Sequence, residues 1–337
     1  MTSLKIDIML LLNNSDIQRA LRMTEAIAAL RAMLAGTEKM VAPPRMIIDN
    51  EEHGALSLFM PALLSRGGHL GIKVSSIYPN NRRHGLPTIN GVVVLLDSAS
   101  GRITAMLDSA ALTSIRTSAV SALAVDLLAP QQAGTLAIIG VGVQARAHLL
   151  ALSIVRKFNA VKVFGRDAKQ TELFVEEMSG QVAVRLTAAA TLADAIADAD
   201  VICMATSHTG VAPILLDEYL KPQVHINAIG GGTVSACECD PLTLRTARVY
   251  VDEIDTALRE SGDIAAAMSH GYLRSEELAD LRMLVNNDFG PRPANGRSYF
   301  RSVGHASQDL IVSDHIVRRA RALGIGQGNT YLDCAVP

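Results

Sequence analysis

The 337-residue sequence has no tryptophan, only 4% aromatic residues and four cysteines. So few aromatic side chains argue against a surface that stacks single-stranded nucleic acid. The 31 lysines and arginines are matched by 33 aspartates and glutamates, so no basic surface for nucleic acid is predicted. The cysteines are too sparse for a disulfide framework and lack zinc-site spacing, so they predict buried thiols in a reducing cytoplasm: Cys203, Cys237, Cys239 and Cys334.

Long apolar runs are also missing. The first apolar stretch, residues 8–12, ends at four polar residues and is far shorter than the roughly 20 residues of a membrane span. No basic segment precedes it, as a secretory signal would require. Nine histidines are scattered without metal-ligand spacing, so no metal site is predicted. With 49% apolar residues and a net charge of -2, the chain is predicted to fold, as about two domains.

The first third of the sequence predicts an α+β domain. Residues 6–12 are typical of a strand, and Asp16 is predicted to cap one helix that ends at Gly36. Residues 71–78 alternate in polarity, and residues 92–107 predict a β-hairpin. Asp108 or Ser109 is then predicted to cap a long helix that runs to about Leu128. We therefore predict a domain over residues 1–116 with antiparallel strands, to which an amphipathic helix in the segment 302–337 returns.

After residue 134 the pattern changes to short apolar strands that alternate with helical stretches. Crossovers long enough for a helix imply parallel pairing. The chain is therefore predicted to form a Rossmann-type, doubly wound parallel sheet over residues 117–301. Its predicted strands are residues 135–139, 160–165, 182–186, 199–205, 225–229 and 247–251.

A glycine pattern, G-x-G-x-x-A, follows the first of these strands and opens a helix. Gly140 would permit the tight turn, Gly142 would let a pyrophosphate approach the backbone, and Ala145 would let the helix pack closely. The amides at the start of the helix, including those of Val143 and Gln144, would face the phosphates. In this context the pattern predicts a dinucleotide site; the alternative is a tight turn without a ligand.

The end of the second strand bears on which dinucleotide is bound. An acidic residue there would bind the ribose hydroxyls of NAD, but this sequence has Gly165 followed by Arg166. An arginine can pair with a 2′-phosphate, so NADP(H) is favoured and NAD(H) is the alternative. Asp167 would favour NAD if it turned inward, and Arg166 could instead be a solvated loop charge.

Three cations are candidates for binding an acidic substrate. Arg116 has no acidic neighbour at helical spacing, so a buried guanidinium there needs an anion from elsewhere. That anion could be a substrate carboxylate or a distant Asp or Glu, and the residues alone leave both open. Lys73 and Arg45 could each be solvated, and His84 lies in a polar loop typical of a surface.

Several segments in order along the chain resemble the ornithine cyclodeaminase/mu-crystallin family: residues 71–73, 85–88, 96–119, 140–144, 227–230 and 302–304. The resemblance implies a subunit that dimerises through the first domain, with substrate held between the domains. It implies that Arg45 and Arg116 take the substrate carboxylate and that Lys73 is the polar group nearest the reacting carbon or nitrogen. It also implies that Thr88 and Val303 lie near the nicotinamide. Thr206 completes the candidate cofactor-binding residues.

The family contains several reactions, and one position separates them. Cyclodeaminases and alanine dehydrogenases of the family carry an aspartate where this chain has Gly232. The ketimine reductases lack it and prefer NADPH, in line with Arg166. The resemblance therefore implies an NAD(P)H-dependent reductase of a small α-imino acid. Alternatives are a cyclodeaminase or amino-acid dehydrogenase with bound NAD, and a non-catalytic binder. The loop 286–301 departs from the family pattern and is predicted to shape specificity.

Overall fold

The computed structural model describes residues 9–37, 39–64, 69–231, 234–288 and 296–329. The chain divides into two compact units: Met1–Arg116 with His305–Pro337, and Thr117–Gly304. The first division lies between the same two residues as in the prediction. The second falls at residue 305, where the sequence placed it at 302.

The described residues form the following strands: β1 (Met9–Leu12), β2 (Met40–Val41), β3 (Met46–Asn50), β4 (Ala55–Leu64), β5 (His69–Ile77), β6 (Ile89–Asp97), β7 (Ile103–Asp108), β8 (Thr135–Ile139), β9 (Ala160–Phe164), β10 (Arg185–Ala188), β11 (Val201–Met204), β12 (His225–Ala228), β13 (Ala247–Val251), β14 (Ala279–Asp280), β15 (Arg297–Arg301) and β16 (Gln327–Asn329). The helices are α1 (Asn14–Ala20), α2 (Met23–Ala35), α3 (Ser109–Leu128), α4 (Val143–Val155), α5 (Ala168–Ser179), α6 (Leu192–Ile196), α7 (Pro241–Thr246), α8 (Ile254–Glu260), α9 (Gly262–Ser269), α10 (Leu281–Asn286) and α11 (Ala306–Leu323).

The first unit is built on a mixed sheet in the order β16-β1-β7-β6-β5-β4-β2, with β3 also paired to β4. Its described pairs are antiparallel except β1 with β7. Helix α11 contacts β4, β5 and β6 as well as α1 and α2. The predicted α+β domain is confirmed, and the C-terminal helix supplies side chains to its core.

The prediction of a single first helix is wrong. Asn13, not Asp16, is the N-cap of α1: its side chain accepts from the Asp16 N–H, and Asp16 accepts from the Asn13 N–H in return. The backbone is extended at Leu21 and Arg22. There the Glu25 carboxylate accepts from the Arg22 N–H at 3.1 Å and starts α2. This second capping interaction divides the predicted helix in two.

Helix α3 begins at Ser109 as predicted, and Asp108 Oδ1 accepts from the Ala111 N–H at 2.8 Å. It is long and apolar enough to cross a membrane by length and composition alone. However, 72% of its most apolar window is buried inside the protein, which is typical of a core helix.

The second unit contains the predicted parallel sheet, in the order β10-β9-β8-β11-β12-β15-β13-β14. The chain runs outward from β8 through β9 to β10 and then returns to β11 on the other side of β8. Between β8 and β11 the order therefore reverses, and in doubly wound sheets ligands bind outside the carboxyl ends of the strands at this point.

Two strands of this sheet, β14 and β15, were not predicted. Strand β15 lies between β12 and β13 although both its ends are arginines. Arg301 is only 1% exposed, because it pairs with Glu238 and Asp263 from elsewhere in the unit. Such distant charge pairing leaves no local signal in the sequence.

Candidate active site

A buried charge cluster lies in the first unit. Lys73 on β5 and Arg116 on α3 both contact one oxygen of Asp309 on α11: Lys73 Nζ lies 3.1 Å and Arg116 Nε 2.9 Å from Asp309 Oδ1. Arg116 Nη1 also donates to Gln308 Oε1 at 3.2 Å. Of the two partners that the sequence allows for Arg116, a substrate carboxylate or a distant acid, the structure shows the distant acid. The other terminal nitrogen of Arg116, Nη2, donates to no acceptor among the described residues.

The cluster has an excess of positive charge. Burial is the largest influence and lowers the pKa of Lys73 to about 8; Arg116 adds to this effect and Asp309 opposes it. Burial alone would raise the pKa of Asp309, but Arg116 and Lys73 outweigh it and hold that pKa below its ordinary value. One carboxylate thus serves two cations. An added anion would be stabilised here.

Asp309 and Gln308 were not predicted as site residues. They lie on the buried side of α11, among apolar residues such as Leu310, Val312 and Ile316. A charged residue on the apolar side of an amphipathic helix is itself a signal, because it needs a partner where the helix packs.

The other first-unit candidates are less enclosed. Arg45 directly precedes β3, is half-buried, and contributes to lowering the pKa of Lys73, so it lies near the cluster. Thr88 precedes β6, and its hydroxyl accepts from Arg82 Nε at 3.1 Å. His84 is exposed at the end of a 3-10 helix. The structure therefore brings Arg45 toward Lys73 and gives Thr88 a separate partner.

The glycine loop of the second unit has the geometry that its pattern predicts. Gly140 has a φ of 113°, and a Cβ there would overlap the carbonyl oxygen of Ala205. Gly142 is the N-cap of α4, where a Cβ would meet nothing within 4 Å. Val143 is 70% exposed, and within the described chain Gln144 Oε1 is buried without a hydrogen-bond partner. Open space and an unsatisfied acceptor at a helix start fit a dinucleotide.

At the end of β9, Asp167 does not turn inward. It is the N-cap of α5, and its Oδ1 accepts from the Gln170 N–H at 3.0 Å. Arg166 is exposed and forms no ion pair with the part of the chain that the structure describes. A Cβ at Gly165 would lie 2.8 Å from Thr171 Oγ1, so this position accommodates no larger side chain without a shift.

Two further cofactor candidates follow strands of the same sheet. Thr206 follows β11, and its hydroxyl donates to Glu238 Oε1 at 2.5 Å. Val303 follows β15, and its N–H donates to Asp252 Oδ1 at 3.3 Å. Asp252 also accepts from Ser302 and from the Gly304 N–H at 2.6 Å, so it holds this whole turn.

The two acids that follow Gly232 in the sequence, Glu238 and Asp240, have partners of their own. Glu238 is fully buried against Thr206 and Arg301, and Asp240 is the N-cap of α7. Gly232 itself and residues 289–295 of the predicted specificity loop lie outside the described residues. The described thiols, Cys203, Cys237 and Cys239, are buried as predicted. No group of three His, Cys, Asp or Glu able to hold a metal occurs in the described segments.

The model of the ornithine cyclodeaminase/mu-crystallin family matches residues 8–323. The chain belongs to this family. It is 30% identical to a Delta(1)-pyrroline-2-carboxylate reductase of Bacillus cereus over 95% of this chain and 99% of the relative. It is 31% identical to the ketimine reductase mu-crystallin of Mus musculus over 90% and 94% of the two chains.

A solved structure extends the match to the fold. Thermococcus litoralis Delta(1)-pyrroline-2-carboxylate reductase in complex with NADH and L-proline matches with a TM-score of 0.90 and 30% identity. The match covers 95% of this chain and 100% of that chain. The predicted combination of a Rossmann-type sheet and an α+β unit is thus confirmed.

Proposed function

We propose that this family member is an NADPH-preferring reductase of small α-imino acids, such as the cyclic ketimines pyrroline- and piperideine-2-carboxylate. The reaction consumes one proton and one hydride per C=N bond and gives the amine and the oxidised cofactor. The observation that carries the proposal is the cluster in which buried Lys73 and Arg116 share Asp309. The reductase and ketimine reductase relatives support the reaction class.

Arg116 is the proposed anchor for the substrate carboxylate. Its Nε and Nη1 are held by Asp309 and Gln308, which fixes the guanidinium plane and leaves Nη2 to donate to a ligand. A substrate carboxylate would add the negative charge that the cluster lacks. Arg45, whose charge acts on Lys73, is the proposed second donor to that carboxylate.

Lys73 is the proposed proton donor to the imine nitrogen. Protonation makes the C=N carbon a better hydride acceptor, and a donor is most effective when its pKa is close to the working pH. Burial brings the pKa of Lys73 to about 8, which satisfies that requirement. Asp309 holds the ammonium at 3.1 Å and fixes the direction of the transfer.

When bound, the reduced nicotinamide supplies the hydride. The residues of the second unit proposed to hold the dinucleotide are Gly140, Gly142, Val143 and Gln144 around the start of α4, together with Thr206. Val303 is proposed to lie nearer the nicotinamide, and the role of Thr88 in the first unit stays a prediction. Because Asp167 is engaged in capping α5, it leaves the ribose position without an acid. Exposed Arg166 is then the proposed partner of a 2′-phosphate, which favours NADP(H) over NAD(H).

Replacing Arg166 tests the coenzyme preference. In Arg166→Ala, the Kd for NADPH should rise by about 10- to 100-fold, because a charge-assisted contact of roughly 1.5–3 kcal/mol is lost. The Kd for NADH should change less than twofold. Both are measured by titrating the fluorescence of the reduced coenzyme. Lys169→Ala, a nearby exposed cation on α5, is the matched control, and equal weakening of both coenzymes by Arg166→Ala contradicts the assignment.

Gly142→Asp tests the phosphate site. Aspartate is a good N-cap, so the melting temperature should stay unchanged or rise. The carboxylate would occupy space that is open in the protein and would repel the pyrophosphate, so the Kd for NADPH should rise more than about 100-fold. Differential scanning fluorimetry and the same titration report the two effects. Unchanged coenzyme affinity in a folded variant would remove α4 from the site.

The main rival is a cyclodeaminase or amino-acid dehydrogenase. Against it stand Gly232 in the sequence, the contacts of Glu238 with Thr206 and Arg301, and the role of Asp240 as the N-cap of α7. A spectrophotometric screen at 340 nm decides the question, with both coenzymes against cyclic imino acids, keto acids with amines, and amino acids. Imine-dependent oxidation of NADPH supports the reductase. Formation of ammonia and proline from ornithine would indicate a cyclodeaminase. Net reduction of the oxidised coenzyme in the presence of alanine would indicate a dehydrogenase. Coenzyme binding without turnover would indicate a non-catalytic binder.

A homodimer through the first unit is part of the proposal. Met46, Ile47 and Ile48 follow one another on β3 and are each more than half exposed. Successive side chains of a strand point to opposite faces, so both faces of β3 present apolar surface. Exposed apolar side chains on both faces of one strand are the feature that supports an interface with another chain here. Cytoplasmic location stays a prediction.

A further inference from the structure

A second buried carboxylate, in the second unit, has no role in the steps above. Glu238 is fully buried, and its Oε1 accepts from the Thr206 hydroxyl at 2.5 Å. Its Oε2 lies 3.3 Å from Arg301 Nη1. The backbone of Glu238 is fixed as well, because its N–H donates to Asp263 and its carbonyl accepts from Ile214 and Leu215.

The group lies where the sheet binds its ligand. Thr206 is two residues past the end of β11, and the neighbouring Ala205 N–H donates to the Ile139 carbonyl at the end of β8. Gly230 follows β12, and a Cβ there would overlap both Glu238 Oε1 and the Thr206 carbonyl. The Thr206 hydroxyl therefore stands at the carboxyl ends of the central strands, with Glu238 directly behind it.

The surroundings of Glu238 contain too little positive charge. Arg301 is the partner of two carboxylates, since its Nη1 is also 3.2 Å from Asp263 Oδ2. Asp263 has three further donors: the N–H groups of Glu238 and Cys239 and the Tyr299 hydroxyl. Within the described part of the chain, the Glu238 carboxylate has only the Thr206 hydroxyl in addition to the arginine. It is the less stabilised carboxylate and the better place for an extra proton.

The titration of Glu238 agrees with this geometry. Burial, the largest influence, raises its pKa to about 7, with a further rise from Asp263, against the opposing effects of Arg301 and Thr206. The Cys203 and Cys239 thiols and the Tyr299 hydroxyl around it are neutral near that pH, because burial raises the pKa of each. Arg301 and Asp263 are the charged groups that face Glu238.

We propose that Glu238 is a positioning residue that orients the Thr206 hydroxyl toward the bound dinucleotide and takes up a proton as the dinucleotide binds. Ionised Glu238 accepts the Thr206 hydroxyl hydrogen. Protonated Glu238 instead donates a hydrogen bond to the Thr206 hydroxyl oxygen, which also accepts one from the His208 N–H at 3.1 Å. Because both acceptor sites of that oxygen are then occupied, the Thr206 hydroxyl hydrogen is free to be donated to an oxygen of the cofactor. Protonation also removes a buried negative charge near an anionic ligand. Both effects tighten binding as the pH falls. The inference rests on the proposed coenzyme site.

The test compares wild-type protein with Glu238→Gln between pH 6 and 8.5. The neutral amide can donate to Thr206 at every pH, as protonated Glu238 does. The Kd of the wild type for NADPH should rise by about three- to tenfold over this range, equivalent to a pKa change of up to about one unit on binding. The Kd of Glu238→Gln should stay near the low-pH value. Ionisation of the NADPH phosphate affects both proteins alike and cancels in the ratio of their Kd values.

A second variant tests whether Glu238 acts through the Thr206 hydroxyl, and it keeps the inference testable if Glu238→Gln does not fold. Thr206→Val keeps Glu238 and should raise the Kd at pH 6 toward the wild-type value at pH 8.5. Calorimetry of the wild type at pH 7 in two buffers of different ionisation enthalpy should show proton uptake on NADPH binding. Parallel Kd curves for wild type and Glu238→Gln, or an unchanged Kd in folded Thr206→Val, overturn the inference and leave the coenzyme site standing. Absence of NADPH binding by the wild type at every pH overturns both.

Discussion

Arg116→Ala should lower kcat/KM for the imine by about 30- to several-thousand-fold, because losing one partner of a buried charge pair costs about 2–5 kcal/mol. The expected loss falls mainly on KM if Arg116 binds the ground-state carboxylate. The Kd for NADPH should stay within about twofold. Steady-state kinetics and coenzyme titration measure the two quantities. The fold should survive, because Lys73 still neutralises Asp309 in the variant.

A matched control is available for this variant. Arg156 is also a buried arginine, held by Asp126 at 3.0 Å, but it lies outside the proposed site. Arg156→Ala should lower the melting temperature and leave KM for the imine unchanged. Added methylguanidinium should partly restore turnover in Arg116→Ala and in no other variant. Equal loss of imine turnover and coenzyme binding in Arg116→Ala would show that the arginine is structural.

Lys73→Met should lower kcat by about 100- to 10,000-fold, the usual contribution of a positioned proton donor. Methionine fills a similar volume, and its neutral side chain leaves Arg116 and Asp309 as a balanced ion pair. The variant should therefore fold and bind NADPH as the wild type does. Single-turnover oxidation of NADPH, followed at 340 nm, measures the rate of imine reduction. Lys73→Arg is the matched variant, because it keeps the positive charge but has a much higher pKa.

The same residue sets an expected pH dependence. The ammonium form is the donor, so kcat/KM should be constant well below the pKa of about 8 and fall as the pH rises through it. The residual activity of Lys73→Met should lack this inflection once the titration of the free imine is subtracted. An unchanged inflection in the variant would assign the titration to another group, and an unchanged kcat would remove Lys73 from the chemistry.

The second unit was largely predictable because its signals are local. Each strand with a helical crossover predicts parallel pairing, and the glycine at 140 is needed by the turn itself. The family and the Rossmann-type sheet are accordingly confirmed. Strand β15 was missed because its arginines are paired with distant acids. Arg301 pairs with Glu238 and Asp263, which lie 63 and 38 positions earlier in the sequence, and Arg297 pairs with Asp217, 80 positions earlier.

The first unit shows where local reasoning ends. The sequence left two alternatives for the partner of Arg116, and one of them is realised by Asp309, 193 positions away. Nothing near Arg116 in the sequence could indicate that contact. The division into α1 and α2 was missed for a different reason: Glu25 was available as a capping residue, but the apolar periodicity continues across the break. The roles given to Lys73, Arg116 and Arg45 stay predictions until the variants are measured.

The sequence separations of the charge cluster also have a consequence for biosynthesis. Lys73 leaves the ribosome 236 residues before Asp309, and Arg116 leaves it 193 residues before. The unit Thr117–Gly304 is complete in between and can fold while translation continues. Lys73 and Arg116 therefore have no contact with Asp309 until α11 has been synthesised. A polypeptide released before α11 would carry the parallel-sheet unit without Asp309, the partner of both buried cations.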